Sequence, residues 1–201
     1  MKNKSLSAYK KKKLIESFCD ELTATQAAHR LNLDRNTVNK YFKRIRECIA
    51  GYREYQKMHL MISRMNKPAE PVPVISKQFT SSHPEEGGIA VNLICLSGQL
   101  LTDLDHPVPE ASAMMLHVSD YVREHLNGHE ELPRGGETGL QEARTMADAF
   151  HDFATRRFKK YFGIHSDFAY LYIKEAEFVF NERDHGKREK LLNQMMEQIF
   201  S

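Results

Sequence analysis

TATQAAHRLNLDRNTVNKYFKRIR, residues 23–46, decides the fold of the N-terminal part of this chain. Thr23 and Gln26 have the Ser/Thr-x-x-Glu/Gln spacing of a capping box, which predicts a helix that runs to Asn32. Asn tolerates the left-handed backbone of a tight turn. The carboxylate of Asp34 suits the N-cap of a second helix, because it accepts hydrogen bonds from free backbone amides. Two helices joined in this way predict a helix-turn-helix.

The apolar residues of this stretch are spaced so that the two helices can share one small core. They are Ala27, Ala28, Leu31, Leu33, Val38 and Tyr41. An earlier segment carries Leu14, Ile15 and Phe18 at helical spacing, and we expect this side to cover the back of the motif. The sequence therefore predicts an N-terminal domain of three helices.

The second helix of the motif has an apolar side and a polar side on a 3.6-residue wheel. The apolar side consists of Val38, Tyr41, Phe42, Ile45 and Ile49. The polar side and its flanks carry six residues that we predict to bind DNA: Arg35, Asn36, Asn39, Lys40, Lys43 and Arg44. Arg and Lys can donate to guanine edges and Asn can pair with adenine, so this helix suits the major groove. The alternative is a solvated basic face in an ordinary helical bundle.

The charge distribution favours DNA binding. The net charge of +2 conceals 16 Lys and Arg against 6 Asp and Glu in residues 1–67, and 13 against 21 in the remaining residues. A basic region beside a helix-turn-helix supplies the sequence-independent attraction to phosphates on which base recognition is superimposed. The run Lys10–Lys13 can add to this attraction or can equally form a solubilising helix face.

The composition excludes several classes of protein. Cys19, Cys48 and Cys95 are isolated, which argues against a disulfide framework and a zinc ribbon, and we expect Cys19 and Cys48 to pack as small hydrophobes. No apolar run reaches the roughly 18 to 20 residues that span a bilayer, and no apolar signal-peptide stretch follows the N-terminal lysines. We therefore expect a cytoplasmic protein without a membrane partner.

The prolines of NKPAEPVPV, residues 66–74, mark the end of the first domain. The second helix of the motif can continue toward Met65, but proline removes a backbone donor and restricts the residue before it. This pattern predicts a helix-turn-helix domain over residues 1–65, a linker over 66–75 and a second domain over 76–201.

The second domain is predicted to be mixed α/β and rich in helices. IAVNLICL, residues 89–96, and the segment 99–104 flank Ser97-Gly98 and predict a buried hairpin. Apolar periodicity predicts helices over residues 111–126, 140–162, 167–182 and 187–200. The second of these is predicted to turn Met146, Phe150, Phe153 and Phe158 inward. It also carries a predicted basic patch of Arg156, Arg157, Lys159 and Lys160.

Two stretches resemble one family. ATQAAHRLNLDRNTVNKYFKRIRECIA, residues 24–50, is similar to the N-terminal helix-turn-helix of bacterial insertion-sequence transposases that have an RNase-H-like core with an acidic triad. FATRRFKKYFGI, residues 153–164, followed by YLYIKEAEFVFNER, residues 170–183, is similar to the C-terminal end of that core. The hairpin segment 89–106 is compatible with its early strands. The resemblance implies a truncated RNase-H-like α/β domain over residues 76–201.

The resemblance also implies where catalytic acids belong. In such transposases two Asp residues from the sheet and a third acid from a later helix hold divalent metal. This chain has Ile75 and Ser76 where the first acid is expected, and only Asp148 falls near the third position. The other aspartates between residues 75 and 140 are Asp103, Asp105 and Asp120. One carboxylate cannot supply the oxygen ligands that a hard cation needs, so we expect an inactive core with Asp148 as a remnant and no metal cofactor.

The leading interpretation is a transposase-related protein that recognises a specific duplex DNA sequence through its helix-turn-helix. The core remnant can serve as a homodimer module, for which the aromatic candidates, if not core residues, are Tyr170, Tyr172, Phe178 and Phe180. The alternative is an active DNA transposase that cleaves and joins strands with Mg²⁺ or Mn²⁺ held by displaced acids. A third alternative is a domain that binds only protein.

Overall fold

The computed structural model describes residues 6–65, 72–80, 88–104, 137–161 and 166–200. Within these ranges the helices are α1 (Ala8–Cys19), α2 (Ala24–Leu31), α3 (Arg35–Met65), α4 (Glu137–Phe158), α5 (Ser166–Asn181) and α6 (His185–Phe200). The strands are β1 (Val74–Thr80), β2 (Gly88–Leu96) and β3 (Gln99–Asp103), which form an antiparallel sheet in the order β1-β2-β3. The protein is therefore helix-rich and mixed α/β, as predicted.

The chain divides into two compact units that do not follow the chain order. Unit 1 combines Met1–Ile49 with Glu182–Ser201, and unit 2 is Ala50–Asn181. Helix α3 belongs to both units, and α6 belongs to the first. The sequence division into residues 1–65, 66–75 and 76–201 did not anticipate this arrangement, because apolar periodicity does not show which helices pack together.

The core of unit 1 forms between α1, α2, α3 and α6. Leu14, Ile15 and Phe18 are buried on α1, as predicted, and the ring of Phe18 meets that of Phe42 edge to face at 5.2 Å between centroids. Helix α6 packs against α1 and buries Leu192 completely. The C-terminal helix therefore completes the core around the predicted three-helix motif.

The core of unit 2 lies between one face of the sheet and helices α4 and α5. The predicted hairpin is confirmed, since β2 and β3 pair from Asn92 with Asp103 to Leu96 with Gln99. The buried members of this core are Phe79, Val91, Leu93, Leu100, Ala147, Phe150, Ala154, Ile173 and Ala176. Met146, Phe153 and Phe158 pack against it, which confirms the predicted inner side of α4.

Two boundaries differ from the sequence predictions. The predicted linker reaches residue 75, but Val74 and Ile75 begin β1, where they pair with Ile94 and Leu93. β-branched residues favour strand conformation, and this preference takes effect here because β2 supplies a partner strand. The helix predicted to reach residue 162 ends at Phe158, because the amides of Lys160 and Tyr161 close tight turns onto the carbonyls three residues earlier.

Helix α5 supplies the hydrogen bonds that a fourth strand would make to β3. Leu100 and Thr102 turn their peptide groups away from β2. Asn181 accepts from the Leu100 amide at 2.9 Å and donates to its carbonyl at 2.7 Å. Glu177 accepts from the Thr102 amide at 3.1 Å, and Lys174 donates to the Thr102 carbonyl at 2.7 Å. Side chains at positions i, i+3 and i+7 of one helix thus satisfy this strand edge.

The ionised groups of this edge are paired with charges from α3. Arg53 is fully buried and its Nε lies 2.8 Å from Glu177 Oε1. Glu54 lies 2.7 Å from the Lys174 ammonium and 2.8 Å from that of Lys57. Buried charges are tolerated when they are paired and hydrogen-bonded, as these are. We call these five residues the charge cluster: Arg53, Glu54, Lys57, Lys174 and Glu177.

Replacing Glu177 with Ala should destabilise unit 2 strongly. The change leaves Arg53 and Lys174 buried without their shared carboxylate, and breaking such a pair costs about 3–5 kcal/mol. Urea unfolding would measure the free energy change. Glu47→Ala, which removes an exposed ion pair with Lys43, is the control and should change stability by about 0.5 kcal/mol or less. Equal effects of the two substitutions would contradict the role of the charge cluster.

The charge cluster should also make unit 2 sensitive to acid. Burial raises the pKa of Glu54, but Lys174 and Lys57 more than offset this and lower its pKa from 4.5 to about 2. A depressed carboxyl pKa stabilises the folded state above pH 4.5, and this contribution is lost as the pH falls toward 2. Urea unfolding across this range should show a flatter pH dependence for Glu54→Gln. An unchanged dependence would contradict the assignment.

Candidate nucleic-acid interface

The local structure around residues 23–37 forms as the sequence predicts. The Thr23 amide donates to Gln26 Oε1 at 2.9 Å, and the Gln26 amide donates to Thr23 Oγ1 at 3.3 Å, which completes the capping box. Asn32 ends α2 with φ 48° and ψ 57°, in the left-handed region. Asp34 Oδ1 then accepts from the amides of Asn36 and Thr37 at 2.9 and 3.1 Å. These caps define the turn that separates α2 from α3.

The six residues predicted to bind DNA are all exposed on the first three turns of α3: Arg35, Asn36, Asn39, Lys40, Lys43 and Arg44. They occupy the half of the helix that faces away from its buried side. The buried side includes Val38, Phe42, Ile45 and Ile49, each at most 2% exposed. Lys43 lies 3.8 Å from the Glu47 carboxylate, and both side chains remain largely accessible. The structure therefore presents this polar set as one surface.

The lysine run of α1 is divided by its contacts. Lys13 lies 2.5 Å from Glu16, and this hydrogen bond is the main cause that raises its pKa. Its ammonium also lies 6.0 Å from the centroid of the Tyr9 ring. Lys12 is exposed, whereas Lys10 and Lys11 are partly buried. The run is thus less uniform than the sequence suggests.

Asp20 joins three helices of unit 1. Its carboxylate lies 2.6 Å from Arg30 Nη1 and 3.2 Å from His185 Nε2. The hydrogen bond from Arg30 is the largest cause that lowers the pKa of Asp20. In the same unit, Cys19 is buried, as expected of a small hydrophobe, and this burial raises the pKa of its thiol to about 12. The sequence does not predict the contact between Asp20 and His185, because 165 positions separate the two residues.

Two of the carboxylates named as possible metal ligands, Asp148 and Asp103, lie within the described residues, and each is paired with a lysine. Asp148 on α4 has a 65% exposed side chain and lies 2.5 Å from Lys77, whose hydrogen bond lowers the pKa of Asp148. Asp103 bonds to Lys57 at 3.0 Å. Asp105 and Asp120 lie outside the described residues. Within the described part of the chain, no three His, Cys, Asp or Glu side chains form a group that could hold a metal ion.

Two other predicted surfaces are corrected by the packing. Arg157 does not belong to an exposed basic patch, because it is buried and lies 2.9 Å from Glu175. The remaining members of that patch, Arg156, Lys159 and Lys160, are exposed. Among the aromatic candidates for a dimer surface, Tyr170 and Phe178 are buried. Tyr172 and Phe180 are partly buried. Core packing, the safer explanation for most of these aromatics, is confirmed for Tyr170 and Phe178, and Phe180 also packs against the core of unit 2.

Comparisons with protein-family models, curated proteins and solved structures find no match to this chain. No helix among the described residues is long and apolar enough to cross a membrane. The assignment of the predicted DNA-binding surface therefore depends on its own geometry and chemistry.

Leu192→Ala should loosen the whole of unit 1, including α3. Leu192 is fully buried, and truncating such a residue costs about 2–5 kcal/mol. Hydrogen exchange should show faster exchange in residues 8–49 as well as in α6. Lys190→Ala, at an exposed position of the same helix, is the control and should leave exchange unchanged. Faster exchange confined to α6 would contradict its contribution to the core of unit 1.

Proposed function

We propose that this chain is a transposase-derived protein that binds a specific duplex DNA sequence through α3, with a core remnant that does not catalyse. The observation that carries the proposal is the exposed polar half of the first turns of α3. Six donor side chains lie there, and the opposite half is buried. An exposed polar helix face that follows a shorter helix and a capped turn supports the proposal of a helix-turn-helix.

Each part of this surface has a chemical role in the proposal. Asn36 and Asn39 lie on the first turns, where a carboxamide can pair bidentately with adenine. Lys40 and Lys43 supply positive charge for guanine edges or phosphates further along the helix. Unit 1, residues 1–49 with residues 182–201, carries 16 Lys and Arg against 9 Asp and Glu, and this excess adds attraction that does not depend on sequence. Base recognition and phosphate attraction are thus available in one unit.

The proposal that the second unit is an RNase-H-like remnant has two supports. Its described sheet consists of three consecutive antiparallel strands with helices packed on it, which is compatible with the early strands of such a core. At the position where the resemblance requires the first acid, exposed Ser76 instead bonds to Asn92. The described carboxylates Asp148 and Asp103 are bound to lysines. These features support a core without strand cleavage.

Replacing Lys40 and Lys43 together with Ala should weaken duplex binding. The preferred sequence would be selected from a randomised duplex library with the full chain, and fluorescence anisotropy would then measure affinity across a range of salt. Each lost phosphate contact should reduce the salt slope by about 1.

Asn39→Ala should relax the preference at one base position, with a discrimination loss of about 1–3 kcal/mol.

The matched control for this experiment is Lys159→Ala with Lys160→Ala. It removes the same charge from exposed positions that follow α4, and it should change affinity and salt slope little. Unchanged binding by the Lys40 and Lys43 variant, or an equal loss in both double variants, would show that α3 does not contact DNA. Cleavage of the selected duplex in the presence of Mg²⁺ or Mn²⁺ would contradict the inactive core.

A further inference from the structure

A cleft of about 300 Å³ opens inside unit 2, on the second half of α3. Its lining residues are Tyr52, Tyr55, Gln56, His59, Leu60 and Gln99. The volume is at the small end of the range for ligand pockets, so the cleft suits a single ring system and not a large molecule. We call it the aromatic-amide cleft.

Two accessible rings form one side of the aromatic-amide cleft. Tyr55 and His59 lie four positions apart on α3, on the same side of the helix. Their ring centroids are 6.5 Å apart and their planes are inclined by 35°. Tyr55 is 53% exposed, although most large aromatic residues in the described part of unit 2 contribute to the core. An accessible aromatic face of this kind can stack against another planar ring.

Arg53 orients the carboxamide groups of Gln56 and Gln99, which form the polar side of the cleft. The buried guanidinium donates to Gln56 Oε1, and its Nη1 also lies 3.5 Å from Gln99 Oε1. Gln56 Nε2 donates to the Tyr52 hydroxyl at 2.6 Å. Because the carboxamide oxygens are held by Arg53, each amide nitrogen can present an N–H donor to a ligand. The charge cluster thus orients two donors beside two accessible rings.

We propose that the aromatic-amide cleft binds an unpaired nucleobase of single-stranded DNA. The base stacks on Tyr55 and His59, and the amide nitrogens of Gln56 and Gln99 donate to its ring nitrogen or carbonyl acceptors. Stacking on aromatic side chains together with edge hydrogen bonds is how proteins hold bases outside a duplex. The choice of a nucleobase among planar ligands rests on the proposed DNA-binding function, whereas the site itself is separate from the first turns of α3.

The test compares two fluorescein-labelled strands of equal length, an oligothymidylate and an abasic oligomer with the same phosphates. Anisotropy with the full chain should show that the oligothymidylate binds about fivefold more tightly or better. Tyr55→Ala should remove this difference, whereas Tyr55→Phe should keep it, because the ring and not the hydroxyl stacks. Tyr9→Ala, at a 70% exposed tyrosine of unit 1, is the matched control and should keep the difference.

Equal binding of the two strands by the unaltered chain would overturn the proposal, as would an equal effect of Tyr9→Ala and Tyr55→Ala. Displacement of the oligothymidylate by a proline-rich peptide, without any advantage over the abasic strand, would assign the cleft to peptide binding and also overturn it. Duplex affinity separates this test from the proposed function. Tyr55→Ala should leave duplex affinity unchanged, and the Lys40 and Lys43 double variant should lose it while retaining the preference for bases.

Discussion

The outward peptide groups of β3 need hydrogen-bond partners, and the architecture of unit 2 follows from how they are satisfied. Leaving buried amides and carbonyls without partners costs free energy comparable to a lost hydrogen bond each. Helix α5 meets this requirement with Lys174, Glu177 and Asn181. Two of these side chains are ionised, so their burial requires opposite charges nearby. Arg53 and Glu54 on α3 provide them, and this ties α3, β3 and α5 together.

Helix α3 consequently has different roles along its 31 residues. In its first turns, the polar residues are exposed and the apolar residues are buried. In its second half, Arg53 and Lys57 are buried, while Tyr55 and Ile62 are exposed. Apart from Arg46, which is buried over the Phe18 ring, the polarity of a residue predicts its exposure in the first half of this helix and fails in the second. The failure occurs where the helix supplies charges to the edge of the sheet.

Much of unit 1 could be predicted because its signals are local. The capping box at Thr23, the turn at Asn32 and the cap at Asp34 each depend on residues no more than four positions away. The hairpin and the inner side of α4 were predictable for the same reason. The helix that packs against α6 could not be predicted. Leu192 and its neighbours show that one side of α6 is apolar, but they do not show which helix covers that side. The aromatic-amide cleft was missed because Gln99 on β3 joins residues of a distant helix.

The sequence by itself determined the helix caps, the periodicity that separates buried from exposed sides, and the concentration of positive charge in the N-terminal third. The tertiary structure decided the partner of each buried charge and the composition of each unit. Arg53 and Glu177 are 124 positions apart, and either could have been a solvated residue on a helix surface. The physical reason is the sequence separation over which each kind of interaction acts. Backbone hydrogen bonds and caps act over a few residues, whereas the pairing of buried charges depends on which elements meet.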